Sequence, residues 1–190
     1  DWLGIDGSVY TAADLRKHIL DIIFGVYTFR AADQAIIEER LIQHPAIEAM
    51  SPFGLADVRI IMYQDRAVLA MIRLATRSSK GKANLHQGGV GVGIDLHTGL
   101  TMHSVCKGEL LQRHPDNNSE LLQRRIPMWE QILGISTQLA KAVKLKYLGV
   151  DIAVTASQPV ILEINARPGL EIQNANQIGM QELLNSRKDA

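Results

Sequence analysis

The pattern of apolar and polar positions predicts a helix early in the chain and a short strand after it. Residues 11–24 carry apolar side chains at the spacing of one helical face. Thr11 and Asp14 are placed as a capping pair, and Gly25 follows as a stop. The apolar run 35–42, interrupted by charged residues, predicts a strand that leads into a polar connection.

Two strand pairs are predicted in the middle of the chain. The first hairpin consists of apolar runs at 57–63 and 67–75, separated by the turn-like residues 64–66. The second consists of a glycine-rich strand at 87–96 and a strand at 100–105. Between the two hairpins we expect the polar and basic stretch 76–83 to form a flexible loop.

The last third predicts a long helix, a third strand pair and a terminal helix. Pro127 suits a first helical turn, and apolar positions at helical spacing continue to about Lys146. Strands are predicted at 149–154 and 159–164, and a helix at 178–184. This order of helices and antiparallel strands favours the α+β class over a doubly wound parallel sheet.

Composition excludes several classes of protein. Twenty Lys and Arg balance twenty Asp and Glu, so no broad positive surface for nucleic acid or anionic membranes is expected. No apolar run reaches the length of a membrane span. The single cysteine, Cys106, excludes an intrachain disulfide and favours a cytoplasmic location. A homo-oligomer is compatible with the sequence.

Two acidic residues stand alone in the last pair of apolar strands. Asp151 and Glu163 are twelve positions apart, so a three-residue turn at 156–158 would pair them on one face of the sheet, with Asn165 beside them. Three oxygen-bearing side chains, two of them anionic, suit Mg²⁺. Alternatively, Asp151 starts a turn and Glu163 pairs with a surface lysine. Spacing alone leaves both interpretations open.

The residues after this strand carry a resemblance to a known family. Glu163-Ile164-Asn165-Ala166-Arg167-Pro168-Gly169 ends the strand in a Pro-Gly turn. Together with Asp151, this segment resembles the ATP-grasp superfamily, specifically the RimK-like alpha-L-glutamate ligases. The resemblance implies an ATP-grasp fold, a mostly antiparallel sheet flanked by helices. It also implies magnesium ligation by Asp151, Glu163 and Asn165.

The resemblance extends back along the chain, in the same order, through three further segments. These are Asn84-Leu85-His86-Gln87-Gly88-Gly89, Asp57-Val58-Arg59 and Ile37-Glu38-Glu39-Arg40-Leu41. It implies nucleotide contacts from Glu39 and Arg40 (adenine), Asp57 (ribose), Lys82 and Asn84. Each of these residues could instead be an ordinary strand end, turn or loop residue. The glycines at 88 and 89 would let backbone approach a ligand closely.

Two arginines are candidates for catalysis. Arg73, inside an apolar strand, resembles the family's arginine that faces the reacting carboxyl phosphate, and Arg167 follows the metal ligands directly. Arg59 is a candidate substrate contact. A lone strand arginine can also be an edge residue whose charge reaches solvent. The segment 91–125 is longer than a RimK-type ligase leads us to expect.

The resemblance implies an ATP- and Mg²⁺-dependent carboxylate–amine ligase, with Mn²⁺ as a substitute metal. Its substrates would be small-molecule or peptide carboxylates and amines, with glutamate transfer as one option. The alternatives are a non-catalytic nucleotide-binding or scaffold module and a structural interaction domain. We expect residues 1–35 to be the remnant of a preceding lobe that carries a phosphate-binding lysine, and residues 36–190 to be the nucleotide- and metal-binding lobe.

Overall fold

The computed structural model describes residues 1–4 and 7–186 and divides the chain into two compact units, Asp1–Arg40 and Leu41–Ala190. The first unit contains β1 (Trp2–Leu3), β2 (Val9–Tyr10) and α1 (Ala12–Ile23). The second unit contains, in chain order, α2 (Pro45–Glu48), β3 (Asp57–Tyr63), β4 (Arg66–Leu74), β5 (Val90–Ile94), β6 (Thr101–Cys106), β7 (Glu109–Leu111), α3 (Trp129–Val143), β8 (Tyr147–Val154), β9 (Pro159–Asn165), α4 (Ile172–Asn176) and α5 (Met180–Ser186). Within the described residues, no helix combines the length and apolar character that a membrane crossing requires.

Helix α1 begins with the predicted capping pair. The backbone N–H of Thr11 donates to Asp14 Oδ2 over 2.9 Å, and the backbone N–H of Asp14 donates to Thr11 Oγ1 over 3.3 Å. These reciprocal bonds satisfy two N–H groups that would otherwise lack partners at the start of a helix. The predicted helix is therefore confirmed, with its start at Ala12 and its end at Ile23.

The strand predicted at 35–42 is wrong. These residues have no regular secondary structure, and the side chains of Ile36 and Ile37 are 81% and 84% exposed. A strand exists only where its backbone pairs with a neighbour, and none of the described residues pairs with this segment. Apolar content alone therefore gave the wrong prediction.

The second unit is built on one antiparallel sheet of seven strands in the order β7-β6-β5-β4-β3-β8-β9. All three predicted strand pairs are present in it, which confirms the α+β prediction. The long segment 91–125 supplies β6, β7 and most of β5, so it widens the sheet on one side. The stretch 76–83 forms tight turns in which Thr76 and Ser79 are buried and bonded to each other.

Each face of the sheet packs against helices. On one face, apolar side chains of β3, β4, β5 and β8 form the main core with Trp129, Ile132 and Ala140 of α3. The other face is covered in part by α4, through Ile172 and Ala175. Alternation of side chains along a strand separates the two sets. The predicted long helix is confirmed as α3, although it starts at Trp129 and so does not include Pro127.

Glycine in β5 lets α4 lie directly on the sheet. A Cβ at Gly93 would be 2.2 Å from the carbonyl oxygen of Ala175, and one at Gly91 would be 2.8 Å from a methyl of Leu85. Asn176 then donates to the carbonyl oxygens of Ala70 (3.0 Å) and Ile172 (2.9 Å), which ties α4 to β4. The second face is thus closed over β4 and β5 by α4.

A buried histidine predicts that stability falls in mild acid. His114 is 1% exposed, its ring accepts from the N–H of Asp116, and its Nε2 lies 3.0 Å from the carbonyl oxygen of Ala75. Burial lowers the pKa of His114 below its ordinary value. The unfolded chain therefore takes up this proton at a higher pH than the folded chain does. The contribution to stability is present above the ordinary histidine pKa and is lost as pH falls below it.

We expect the loss of stability between pH 7.5 and pH 5.5 to be smaller for His114→Gln than for the unchanged protein. Urea unfolding at the two pH values measures this loss. Substitution of the exposed His97 by Gln serves as the control and should leave the pH dependence unchanged. An equal pH dependence in the unchanged protein and His114→Gln would contradict this assignment.

Candidate active site

Five charged side chains form one group on the face of the sheet that carries α4. They belong to four adjacent strands, and we call them the charged row: Asp57, Arg59, Arg73, Asp151 and Glu163. In the strand register, Asp57 lies opposite Arg73, Arg59 opposite Asp151, and Asp151 opposite Glu163. Directly opposed residues of antiparallel strands point to the same face. Strand pairing therefore brings all five together.

A bulge in β4 sets the first of these pairs. The hairpin turns through Gln64 and Asp65, both with positive φ, so that Tyr63 pairs with Arg66. The register shifts by one residue at Val68, and from there Asp57 pairs with Arg73. Without this shift, Ile72 would lie opposite Asp57, and Arg73 would point to the other face of the sheet.

A second bulge, in β9, sets the pair of acids. Val154 pairs with Pro159, so the connecting turn has four residues rather than the predicted three at 156–158. The register then shifts at Leu162, and Asp151 pairs with Glu163. The predicted pairing of these acids is confirmed. The predicted turn length is wrong, because a bulge in β9 rather than a three-residue turn produces the pairing. The interpretation of Asp151 as a turn residue is wrong, because Asp151 lies within β8.

Asp151 is the centre of the charged row. Its carboxylate is 1% exposed and accepts from Arg59 through Nε (2.7 Å) and Nη2 (2.5 Å), and from Arg73 through Nη2 (2.7 Å). Burial by itself would raise the pKa of Asp151, but the hydrogen bonds and charges of the two arginines outweigh it, so the pKa lies below its ordinary value. Asp151 is therefore held as an anion.

Arg59, which the sequence offered as a candidate substrate contact, is a partner of the buried carboxylate of Asp151. It binds Asp151 through two parallel hydrogen bonds and also lies 3.7 Å from Glu163 Oε1. The sequence contained one signal for this group, namely that all five charged residues of the row have odd residue numbers. That signal identifies a shared face only when the register between strands is known.

Asp57 lies at the other end of the row, away from Glu163. It is 8% exposed, and its Oδ1 accepts from Arg73 Nε over 2.7 Å. Burial raises the pKa of Asp57 to about 6, against the opposing effect of Arg73. Its carboxylate faces Arg73 in this structure, whereas the sequence had suggested a ribose contact.

Glu163 and Asn165 form the accessible side of the row. The Glu163 side chain is 58% exposed. The amide nitrogen of Asn165 donates to Glu163 Oε1 over 2.8 Å and lies 3.4 Å from Asp151 Oδ2. The structure thus brings the three predicted metal ligands together around one point, with Glu163 open to a ligand from solvent.

The turn after β9 packs against β8. A Cβ at Gly149 would lie 2.7 Å from Cβ of Pro168 and 3.7 Å from Cβ of Asn165, so only glycine leaves room for the turn. This contact fixes where the chain leaves β9. Arg167, within the turn, is exposed, and the structure records no hydrogen bond or ion pair for it among the described residues.

The remaining predicted nucleotide contacts lie outside the row. Lys82 is exposed after the turns at 76–81, and Asn84 caps a short 3₁₀ turn by accepting from the N–H of His86 over 3.0 Å. Glu39 and Arg40 are exposed in the irregular end of the first unit. Among the described residues, no hydrogen bond or ion pair joins Lys82 or Asn84 to the charged row. The roles of all four residues stay predictions.

Two amide residues after the turn have structural roles. Gln173 accepts from the N–H of Met180 over 2.6 Å, at the start of α5, and Asn176 holds α4 on the sheet. Similarly, Gly88 and Gly89 are packed against the loop residues Ser78 and Asn84, whereas the sequence had suggested an approach to a ligand.

The donor set around Asp151 fits a hard divalent cation. Two carboxylates and one amide supply oxygen, and no histidine or cysteine takes part, which suits Mg²⁺ or Mn²⁺ rather than zinc. In the described part of the chain, no three His, Cys, Asp or Glu side chains form a metal-binding group. An ion held here would therefore take further ligands from water or phosphate, and Asn165 would turn its amide oxygen toward it.

Comparison with known protein families places the chain, though not its individual site residues, in a known class. The chain belongs to the sugar-transfer associated ATP-grasp family, whose sequence model matches residues 3–189. The match confirms the predicted ATP-grasp fold. The predicted relation to RimK-like ligases is also confirmed, since two relatives with ligase names align with 124 residues of the chain.

Those relatives are probable alpha-L-glutamate ligases of Trichodesmium erythraeum (strain IMS101) and Shewanella loihica (strain ATCC BAA-1088 / PV-4). Each is 29% identical over 65% of this chain, and the alignment covers 30% of each relative. Among solved structures, the ATP-grasp ligase PsnB with precursor peptide PsnA2 and AMPPNP covers 70% of this chain and 33% of its own, at 16% identity and a TM-score of 0.40. PsnB with a phosphomimetic variant of its minimal precursor, Mg and ADP is 15% identical, with a TM-score of 0.39. That match covers 70% of this chain and 32% of the PsnB chain. TM-scores this low do not establish a common fold by themselves, and the assignment rests on the sequence match.

Two glycine substitutions are predicted to change stability in opposite directions. Gly149→Ala places a Cβ against Pro168, so the turn must move, and we expect a loss of about 1 to 3 kcal/mol. Gly134→Ala, in α3, meets nothing within 4 Å and should stabilise the protein by about 1 kcal/mol through helix propensity. Urea unfolding measures both. A Gly149→Ala protein at least as stable as the unchanged one would contradict the packing described for the turn.

Proposed function

We propose that the protein is an ATP- and Mg²⁺-dependent carboxylate–amine ligase that works through an acyl phosphate. The observation that carries the proposal is the convergence of Asp151, Glu163 and Asn165 beside two arginines, in a chain of an ATP-grasp family. Three carboxylates against two guanidinium groups leave the row with one negative charge, which favours a bound cation. The names of the sequence relatives support ligation of an amino acid.

The proposed reaction has two steps. A carboxylate oxygen of the acid substrate attacks the γ-phosphorus of ATP, the bond to the β-phosphate oxygen breaks, and ADP leaves. The amine then attacks the carbonyl carbon of the acyl phosphate. Phosphate leaves with the electrons of the carbon–oxygen bond, and the nitrogen loses a proton.

The charged side chains would stabilise these steps electrostatically. Asp151, Glu163 and Asn165 would hold Mg²⁺, or Mn²⁺ in its place, which neutralises phosphate oxygens. Arg73 and Arg167 would face the transferring phosphoryl group and the acyl phosphate. A planar guanidinium matches two phosphate oxygens at once.

The nucleotide would be bound by residues outside the charged row. We assign adenine contacts to the backbone at Glu39 and Arg40, and phosphate or ribose contacts to Lys82 and Asn84. Lys82 is exposed and can neutralise phosphate as a point charge. The ribose contact of Asp57 is not part of this proposal, because its carboxylate is buried against Arg73.

We expect Glu163→Gln and Arg167→Ala in the full-length protein to lower ATP-dependent phosphate release strongly while the fold is kept. Loss of one electrostatic donor in an active site costs about 2.7–4 kcal/mol, or roughly 10² to 10³ in rate. Glu163 and Arg167 are exposed, so neither change opens a cavity. Arg113→Ala is the control, because Arg113 is a half-exposed arginine paired with Glu120 away from the site.

Phosphate release measured with a panel of carboxylates and amines tests this prediction, and circular dichroism checks the fold. Normal turnover in Glu163→Gln and Arg167→Ala would refute the assignment of the site. Hydroxylamine traps acyl phosphates as hydroxamates. An unchanged protein that binds Mg-ATP but forms no hydroxamate with any acid of the panel would instead be a nucleotide-binding module.

A further inference from the structure

Arg73 contacts two carboxylates that belong to different strands. Its Nε donates to Asp57 on β3 and its Nη2 donates to Asp151 on β8, each over 2.7 Å. The side chain is 14% exposed, so these contacts are made away from bulk water. Strand register places Asp57 directly opposite Arg73, so this contact is local to the β3–β4 hairpin.

The two contacts of Arg73 respond differently to a cation. If Asp151 binds Mg²⁺, as the proposed function requires, the new charge repels the guanidinium beside the same carboxylate. The bond from Arg73 to Asp151 is then weakened. Asp57 is not among the proposed metal ligands, so its bond to Arg73 Nε does not depend on whether the metal is bound.

Arg59 provides the contrast. Its second carboxylate is Glu163, at 3.7 Å, and Glu163 is itself a proposed metal ligand. Both acids in direct contact with Arg59 would therefore be drawn toward the cation. Asp57 acts on Arg59 only through its charge, whereas it accepts a hydrogen bond from Arg73. Of the two arginines in the row, Arg73 is the one that has a contact independent of the metal.

We propose that Asp57 is a positioning residue, which holds Arg73 at the site independently of Asp151. When the cation takes up Asp151, Arg73 stays beside it, and its Nη groups are free to face the transferring phosphoryl group. Because of Asp57, the position of Arg73 does not depend on whether the metal is bound. Without it, Arg73 depends on Asp151 alone and competes with the metal for that carboxylate.

This inference rests on the proposed function and predicts the kinetics of Asp57→Asn in the full-length protein. We expect kcat for ATP-dependent phosphate release to fall by about 10- to 100-fold, the loss typical when a residue that orients a metal ligand is replaced. The KM for ATP should stay within about threefold. Half-saturation by Mg²⁺, measured both in the assay and by calorimetric titration of the protein with a non-hydrolysable ATP analogue, should move to a higher concentration. Glu120→Gln, which removes the acid from the exposed Arg113 pair, is the matched control and should change none of the three.

Three outcomes would overturn the proposal. A large rise in the KM for ATP with kcat preserved would make Asp57 a nucleotide contact. An unchanged kcat, or a lower kcat with the same Mg²⁺ dependence, would leave Asp57 without the proposed role.

A double-mutant comparison tests whether the effect of Asp57→Asn acts through Arg73. Arg73→Ala and the double variant Asp57→Asn/Arg73→Ala leave no arginine for Asp57 to position. The double variant should therefore have the same kcat and the same Mg²⁺ half-saturation as Arg73→Ala, and a further loss of kcat would overturn the proposal. Absence of ligase activity in the unchanged protein would refute the proposed function instead.

Discussion

The site depends on one constraint, namely that the buried carboxylate of Asp151 must be paired with positive charge. An anion that is 1% exposed is very costly to leave alone, and Arg59 and Arg73 compensate for it with three hydrogen bonds. Buried ion pairs of this kind are seldom the most stable solution, because apolar residues of equal volume often serve as well. The stability of the sheet therefore does not by itself account for the charged row, whereas the proposed chemistry gives it a role.

That arrangement depends on register. The bulge at Val68 brings Asp57 opposite Arg73, and the bulge at Leu162 brings Asp151 opposite Glu163. If either bulge were absent, one member of the pair would face the helix α3 side of the sheet, among apolar side chains. Two single-residue irregularities thus decide whether the row exists. Bulges are frequent beside active sites for this reason.

Sequence reasoning predicted the elements better than their connections. Periodicity and capping residues identified α1, α3 and the three strand pairs, because these signals are local. The strand predicted at 35–42 is absent, because a strand needs a pairing partner and composition does not show whether one exists. Asp151, Glu163 and Asn165 could be proposed as a group since they lie in one hairpin. The contacts of Asp151 with Arg59 and Arg73 span 92 and 78 residues, and no local pattern reveals contacts at that separation.

The central claim is that Asp151, Glu163 and Asn165 converge on one divalent cation that also contacts nucleotide phosphate. The most direct test is electron paramagnetic resonance of Mn²⁺ with the full-length protein and a non-hydrolysable ATP analogue. Convergence of these side chains on the cation predicts a bound Mn²⁺ signal that requires the analogue and disappears in Asp151→Asn and Glu163→Gln. An equally strong bound signal in both variants would place the metal elsewhere and rule out these three residues as its ligands.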